Sequence, residues 1–393
     1  MKRPIYLDNG MTTRPSSLAV SRMLPYLSEK WGSPSAPHQF GQQLYPALEE
    51  SYRALYALVG AKRQDSFVFT SSGAEAINHV IATGYHDITC STGKNQFLTS
   101  KVDEAPAILA IGRLEQLGCV GKMVAVDSYG RVDIQALKES ITPRAALLSL
   151  SWANGLTGVI QPIADIAALC RDRGIALHLD ATHVLGRLFF SWEEVGAQYI
   201  TFNGDQLHAT KGTGGLFIKE GVKSSSFILG GIEQGGRRAG PLDVPALVAL
   251  GVAAQQLVEA RELMCTEVAR LRNKLEEGIV AGYPEACVLF CEAERLPCRT
   301  AIAFPGMVSE ALLWLLSRRG VYGCIGGGSY QQISLVLSHA AVASEQVQSA
   351  ISFCLSRETS EEEIDEAIEI IVGAAKKLRK LSVSFIPGGN HVA

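Results

Sequence analysis

The residues best suited to chemistry fall in one stretch, 146–219, and sit at the ends of apolar runs. Residues 146–152 (ALLSLSW) close in Ala153-Asn154-Gly155. Residues 175–179 (IALHL) run into Asp180-Ala181-Thr182-His183, and 199–202 run into Asn203-Gly204-Asp205-Gln206. Carboxylates, an imidazole and amides therefore recur at equivalent places, with His208 just beyond. Groups of this kind can hold a small ligand or move a proton. A further candidate is the turn Ser71-Ser72-Gly73 before a helix opening at Ala74, where backbone N–H groups can face an anion. Taken alone, most such turns are merely caps. The other candidates also have plain structural readings. Asp180 can cap a turn or pair with Arg237 or Arg238, Arg357 can be a structural ion pair, and His183 can be a buried, hydrogen-bonded core histidine. Cys324 can be a mobile thiol with no chemical role.

The elements that position these groups follow from periodicity. Unbroken apolar strands alternating with helices predict an α/β fold with a mostly parallel sheet covered on both faces. In such sheets ligands bind beyond the carboxyl ends of the strands, where the polar residues fall. Further strands are expected at 5–8, 67–70, 97–100, 214–219 and 350–355, with a small hairpin bracketed by 124–126 and Val132. Helices are expected at 16–27, 45–59, 74–85, 134–140, 163–174 and 309–320. A long helical pattern over 244–280 should link two domains, one of 15–255 and a smaller α+β one of 1–14 with 256–393. The last helix opens with a capping box of Ser360 and Glu363. The glycine-rich stretch 230–241 reads as a loop over a site or a neighbouring subunit. The stretch 323–328 reads as a flexible loop carrying Cys324.

Composition narrows the class. The chain of 393 residues is 47% apolar and 19% charged, enough for a large buried core, and its net charge of −3 gives no nucleic-acid surface. No apolar stretch is long enough to span a membrane, and MKRPIYLDNG lacks the apolar core of a signal peptide. Nine cysteines without regular spacing suggest reduced thiols in a cytoplasmic protein. No CxxC pair is present, so no structural metal site is expected.

The motifs YLDNGMTT, GSPSAPHQFG, FVFTSSGAEA, ANGLTGVIQPI, HLDATHVLG, FNGDQLHATKGTGGLFIK and ISFCLSRETSEEEID stand in the order seen in cysteine desulfurases. The chain resembles that group of class-V aminotransferases, enzymes of the fold-type-I pyridoxal 5'-phosphate (PLP) superfamily, over nearly its whole length. The resemblance implies a large PLP-type domain with a seven-stranded type of sheet and a smaller domain. It also implies a homodimer with the 230–241 loop at the interface, and a sulfur-acceptor or iron–sulfur scaffold protein as partner. Asp180 matches the aspartate that pairs with the pyridine nitrogen, and Arg357 the arginine that holds the substrate carboxylate. Cys324 lies on the loop of the persulfide-forming cysteine, two or three residues early.

Other positions depart from the pattern. Lys211 and Gly212 anchor the alignment and put Gln206 where the family has its Schiff-base lysine. Asn203 and Asp205 replace a serine and a histidine, Ala74 a threonine, Glu104 the histidine stacked on the ring, Gly155 an asparagine with Asn154 adjacent, and His183 a glutamine. An amide is not nucleophilic, so covalent attachment of PLP is not expected. An anion at Asp205 also opposes a phosphate. At ~4 Å and an effective dielectric near 20, one like-charge pair costs about 4 kcal/mol. A helix N-terminus offers at most about 2 kcal/mol. The residues leave three expectations: an ordinary PLP enzyme, a variant binding PLP or its aminated form non-covalently with His183 or His208 as base, and a pseudoenzyme acting as partner or regulator in sulfur or iron–sulfur metabolism.

Overall fold

Runs of residues apolar at nearly every position fit only the middle of a sheet covered on both faces. The computed structural model describes residues 4–327 and 331–384 and builds such a sheet. Its strands in chain order are β1 (Ile5–Tyr6), β2 (Ser66–Thr70), β3 (Gln96–Ser100), β4 (Val120–Val124), β5 (Ala145–Ser151) and β6 (Ala176–Asp180). They continue with β7 (Tyr199–Asn203), β8 (Gly214–Ile218), β9 (Cys287–Val288), β10 (Arg299–Ala303), β11 (Val321–Tyr322) and β12 (Ala350–Cys354).

Seven of these form the main sheet in the order β2-β8-β7-β6-β5-β3-β4. Only the pairs made by β8 are antiparallel. Alternate side chains feed two cores. Phe97, Leu147, Val68 and Leu216 pack with the helices Gly73–Thr83 and Ala105–Glu115. Leu98, Leu148, Leu150 and Phe69 pack with Tyr45–Val59, Ile163–Arg173 and Val244–Glu259.

Two small sheets complete the fold. β12, β10 and β9 pair antiparallel, and β1 pairs parallel with β11. After β1 the chain runs back to the main sheet, where Thr13 N–H donates to Asp205 O at 2.8 Å and Ser16 N–H to His208 O at 2.9 Å. This strap ties the small sheets to the turn after β7, which holds much of the candidate site. The predicted capping box forms, with Ser360 and Glu363 each taking the other's backbone N–H.

Three expectations need correction. The hairpin bracketed by 124–126 and Val132 forms, with Val126 bridging Val132 antiparallel, but the strand β4 that leads into it was not expected. β4 is the sheet's edge strand and is mostly exposed, so it lacks the apolar signature of its neighbours. The helical pattern of 244–280 is not one helix, because Ala260 leaves helical geometry and a π-turn follows at Met264–Val268. The stretch 323–328 is not an open loop. Cys324 bridges Ser352 beside β12, Gly326 bridges Gln332, and Gly328 lies outside the described residues.

Candidate functional site

The carboxyl ends of β5, β6 and β7 open into a cavity of about 230 Å³. Ser72, Gly73, Ala74, Glu104, Asn154, Asp180, His183, Asn203 and Gln206 all line it. Residues placed by sequence at five separate chain segments therefore meet in one space. Asp205 stands just behind, with Oδ1 accepting from Asn203 Nδ2 at 2.5 Å and Oδ2 from Thr12 Oγ1 at 3.0 Å.

Several of these side chains are occupied in building the walls. Asn154 Oδ1 accepts from Leu156 N–H at 3.0 Å, Thr157 N–H at 2.9 Å and Thr157 Oγ1 at 3.1 Å, while its Nδ2 donates to Val102 O at 3.1 Å. Its amide shapes the turn after β5 and has little left for a ligand. At the helix N-terminus, Ser72 Oγ accepts the Glu75 N–H at 3.2 Å and Asn203 Oδ1 accepts the Gly73 N–H at 3.2 Å. Glu75 Oε2 takes the Ser71 N–H at 2.8 Å, and Arg238 Nε pairs with Glu75 Oε1 at 3.0 Å. The end of this helix is thus capped by acceptors of the chain itself.

The floor of the cavity is charged. Asp180, 6% exposed, ends β6 with Oδ1 held by Thr182 through its N–H at 3.1 Å and its hydroxyl at 2.6 Å. Burial, then the charge of Glu104, pushes the Asp180 carboxyl up to about 7, against the Thr182 hydrogen bonds. His183 Nε2 donates to Glu104 Oε1 at 2.8 Å, and Gln331 Nε2 donates to Glu104 Oε2 at 3.0 Å. Burial holds the imidazole below its ordinary value, while its Glu104 bond opposes that shift. For Glu104 burial acts upward but is outweighed by the hydrogen bonds from His183 and Gln331 and the charge of Arg299, so this carboxylate stays ionised. Beside it stands a neutral histidine in one tautomer. Gly155 is what lets the pair form, since a Cβ there would collide with His183 Nε2 and lie 2.8 Å from Glu104 Oε1.

Gln206 lines the cavity with Oε1 buried and without a hydrogen-bond partner, and its Nε2 reaches Met11 O only at 3.5 Å. Its backbone carbonyl accepts from Arg187 Nη2 at 3.1 Å.

Three sequence candidates lie elsewhere. Arg357 does not line the cavity; its Nη2 donates to Gln256 Oε1 at 3.2 Å, and it borders a separate narrow space with His208 and the other side of Gln206. His208 is buried with Nδ1 against Arg14 O at 2.9 Å. Cys324 is 7% exposed and accepts the Gly326 N–H on its sulfur at 3.1 Å. Burial, then the nearby Asp8 charge, pushes its thiol up to about 11. The expectation of an accessible, mobile thiol is corrected here: the backbone bridge to Ser352 folds Cys324 into the small sheet.

Sequence reasoning missed Gln331, Met11 and Arg299. Arg299 is 1% exposed at the start of β10, with Nη1 near Ser352 Oγ at 3.3 Å and its guanidinium packed under Gly10 on the cavity wall. An arginine inside the apolar run CRTAIAF was the available signal.

A mostly parallel seven-stranded sheet with helices on both faces and a polar cleft at the strand ends is the architecture of fold-type-I PLP-dependent transferases. The chain belongs to the aminotransferase class-V family, whose model matches residues 5–366. It is 35% identical to a cysteine desulfurase of Gluconacetobacter diazotrophicus over 384 residues, 96% of this chain and 95% of that one. It is 34% identical to the cysteine desulfurase NifS of Azotobacter vinelandii over 383 residues, covering 96% and 94%. Among solved structures it matches a NifS-like protein with a TM-score of 0.88 at 27% identity, over 95% of this chain and 100% of that one. No helix among the described residues is long and apolar enough to cross a membrane.

Proposed function

We propose that this protein is a cysteine desulfurase-like member of its family, serving sulfur or iron–sulfur metabolism as a binding or regulatory partner, and that it does not desulfurate cysteine through covalently held PLP. One observation carries the reading: among the described residues of this chain, those lining the cavity include no lysine, no arginine and no cysteine. With Gln206 in the place of the Schiff-base lysine, an amide has no lone pair basic enough to attack an aldehyde. The helix end that would hold a phosphate already binds Asn203 Oδ1 and Ser72 Oγ and carries the Glu75 carboxylate, with Asp205 nearby. PLP, the family's cofactor, does not fit these residues as they stand, and no reaction step is assigned to it. With its thiol buried outside the cavity, Cys324 is not the sulfur carrier. Arg357, turned to Gln256, does not clamp a substrate carboxylate.

The alternative of a non-covalent enzyme with a histidine base has weaker support. Glu104 occupies His183 Nε2, and His183 Nδ1 is buried without a partner, so neither nitrogen is free to meet a substrate. His208 lies outside the cavity. A homodimer with the 230–241 loop at its interface is part of the proposal, and the exposure of Leu229 and Ile232 supports it. A sulfur-acceptor or iron–sulfur scaffold protein is the second partner class.

The test uses purified protein. Incubation with PLP should give no yellow adduct that borohydride fixes, and sulfide release from cysteine should stay at the level of free PLP. A fixed adduct on a lysine of this chain, or turnover at a normal enzymatic rate, would refute the proposal.

A further inference from the structure

The cavity has kept its place at the strand ends, but its wall now consists of hydrogen-bond acceptors. Asp180 Oδ1 is held by Thr182, while Oδ2 accepts no hydrogen bond among the described residues. This side chain is more than nine-tenths buried and borders the cavity. Gln206 also lines the cavity, though its Oε1 is shut away from it and has no partner among the described residues. Glu104 adds an ionised carboxylate whose two oxygens, among the described residues, accept from His183 and Gln331. Lysine and arginine donors are lacking from the lining among the described residues, and the helix N-terminus beside it is capped internally. Ile77, Val102, Leu156 and Val336 supply apolar walls for a flat body.

Buried acceptors without donors are costly and call for a ligand that brings the protons. We infer that the cavity binds a small organic cation, an amine or amidine on a single ring and without phosphate, which donates to Asp180 Oδ2. This rests on the reading above that the site holds no covalent PLP. A phosphorylated ligand would bring its dianion towards Asp205, while a cation meets Asp180 and Glu104 on the cavity wall.

Calorimetric titration with matched probes tests it: pyridoxamine, pyridoxamine 5'-phosphate and benzamidine. Pyridoxamine or benzamidine should bind, and pyridoxamine should bind at least about tenfold more tightly than its phosphorylated form. At about pH 8, where the Asp180 carboxyl is ionised, Asp180→Asn should weaken cation binding by about tenfold or more, as loss of a charged hydrogen-bond acceptor does. Glu104→Gln should weaken it as well, through loss of a carboxylate on the cavity wall, which keeps the test open if the first variant folds poorly. Tighter binding of the phosphorylated probe, no binding of either cation, or unchanged affinity in a folded Asp180→Asn would overturn the inference. A borohydride-fixed PLP adduct would instead overturn the functional reading on which it rests.

Discussion

His183 Nε2 meets Glu104 Oε1 at 2.8 Å directly over Gly155, whose missing side chain makes the room. In the structure the three positions depend on one another. A histidine and a glutamate joined across the cavity leave no space for a side chain at 155.

Gly155→Ala should destabilise the protein by about 1–3 kcal/mol, the usual cost of overpacking a buried site. His183→Ala in the same chain should recover part of that loss, because it removes the imidazole that a Cβ at 155 would meet. Urea denaturation of the two single variants and the double variant measures the coupling. Strict additivity would mean that Gly155 and His183 do not share this space.

The Asp180 carboxyl, pushed up to about 7 by burial and then by Glu104, holds a proton that the unfolded chain gives up near 3.8. Its contribution to stability is full below the unfolded value and falls as pH rises through the folded one. Glu104, Asp103 and His183 face it across the cavity, and Thr182 binds it from its own turn. Asp180→Asn removes this titration, so the variant should gain on the wild type by about 2 kcal/mol between about pH 5 and about pH 8. Denaturant unfolding across that range checks it; a constant difference would contradict the burial argument.

Gln206→Lys alone should not produce a PLP adduct. The new ammonium would lie among Asp180, Glu104 and Asp205, which would keep it protonated and unreactive. Restoring an adduct should need at least Asp205→His and Ala74→Thr as well, to reopen the phosphate cup. Absorbance with added PLP, followed by borohydride and peptide mass mapping, distinguishes the single from the triple variant.

Thiol accessibility gives an independent check on Cys324. Cys90 and Cys291 are exposed and should be alkylated first in the native protein. Cys324, 7% exposed and with its thiol pushed up to about 11, should react only after unfolding. Rapid native labelling at Cys324, read by peptide mass, would return it to the list of sulfur carriers.

The dimer surface is tested at the loop before Arg237. Leu229 and Ile232 are 83% and 89% exposed, which is unusual for large aliphatic side chains that have no partner. Leu229→Asp with Ile232→Asp should convert a dimer to a monomer at ~10 µM, as loss of central apolar anchors does. Sedimentation velocity reads the outcome, and an unchanged dimer would place the interface elsewhere.

Local pattern was enough for much of this protein. The helix Tyr45–Val59 lies where its periodicity predicted, and the ends of β5, β6 and β7 were legible because buried runs stop abruptly at polar residues. That placed Asn154, Asp180, His183, Asn203 and Gln206 at one rim, and the resemblance identified the fold. The edge strand β4 escaped notice because an exposed strand carries no run of buried residues.

What the tertiary structure alone decided was direction and partnership. Arg357 follows β12 as expected, yet its guanidinium turns to Gln256 and away from the cavity. Cys324 sits in a glycine-rich stretch that reads as mobile, but a backbone bridge to Ser352 buries it. Glu104 and His183 are 79 residues apart, and Gln331 is a further 227 from Glu104 along the chain. Sequence periodicity reports which face of an element is buried, because that depends on near neighbours. Pairings across such distances depend on how separate elements pack, and only the folded chain brings those side chains within hydrogen-bond reach.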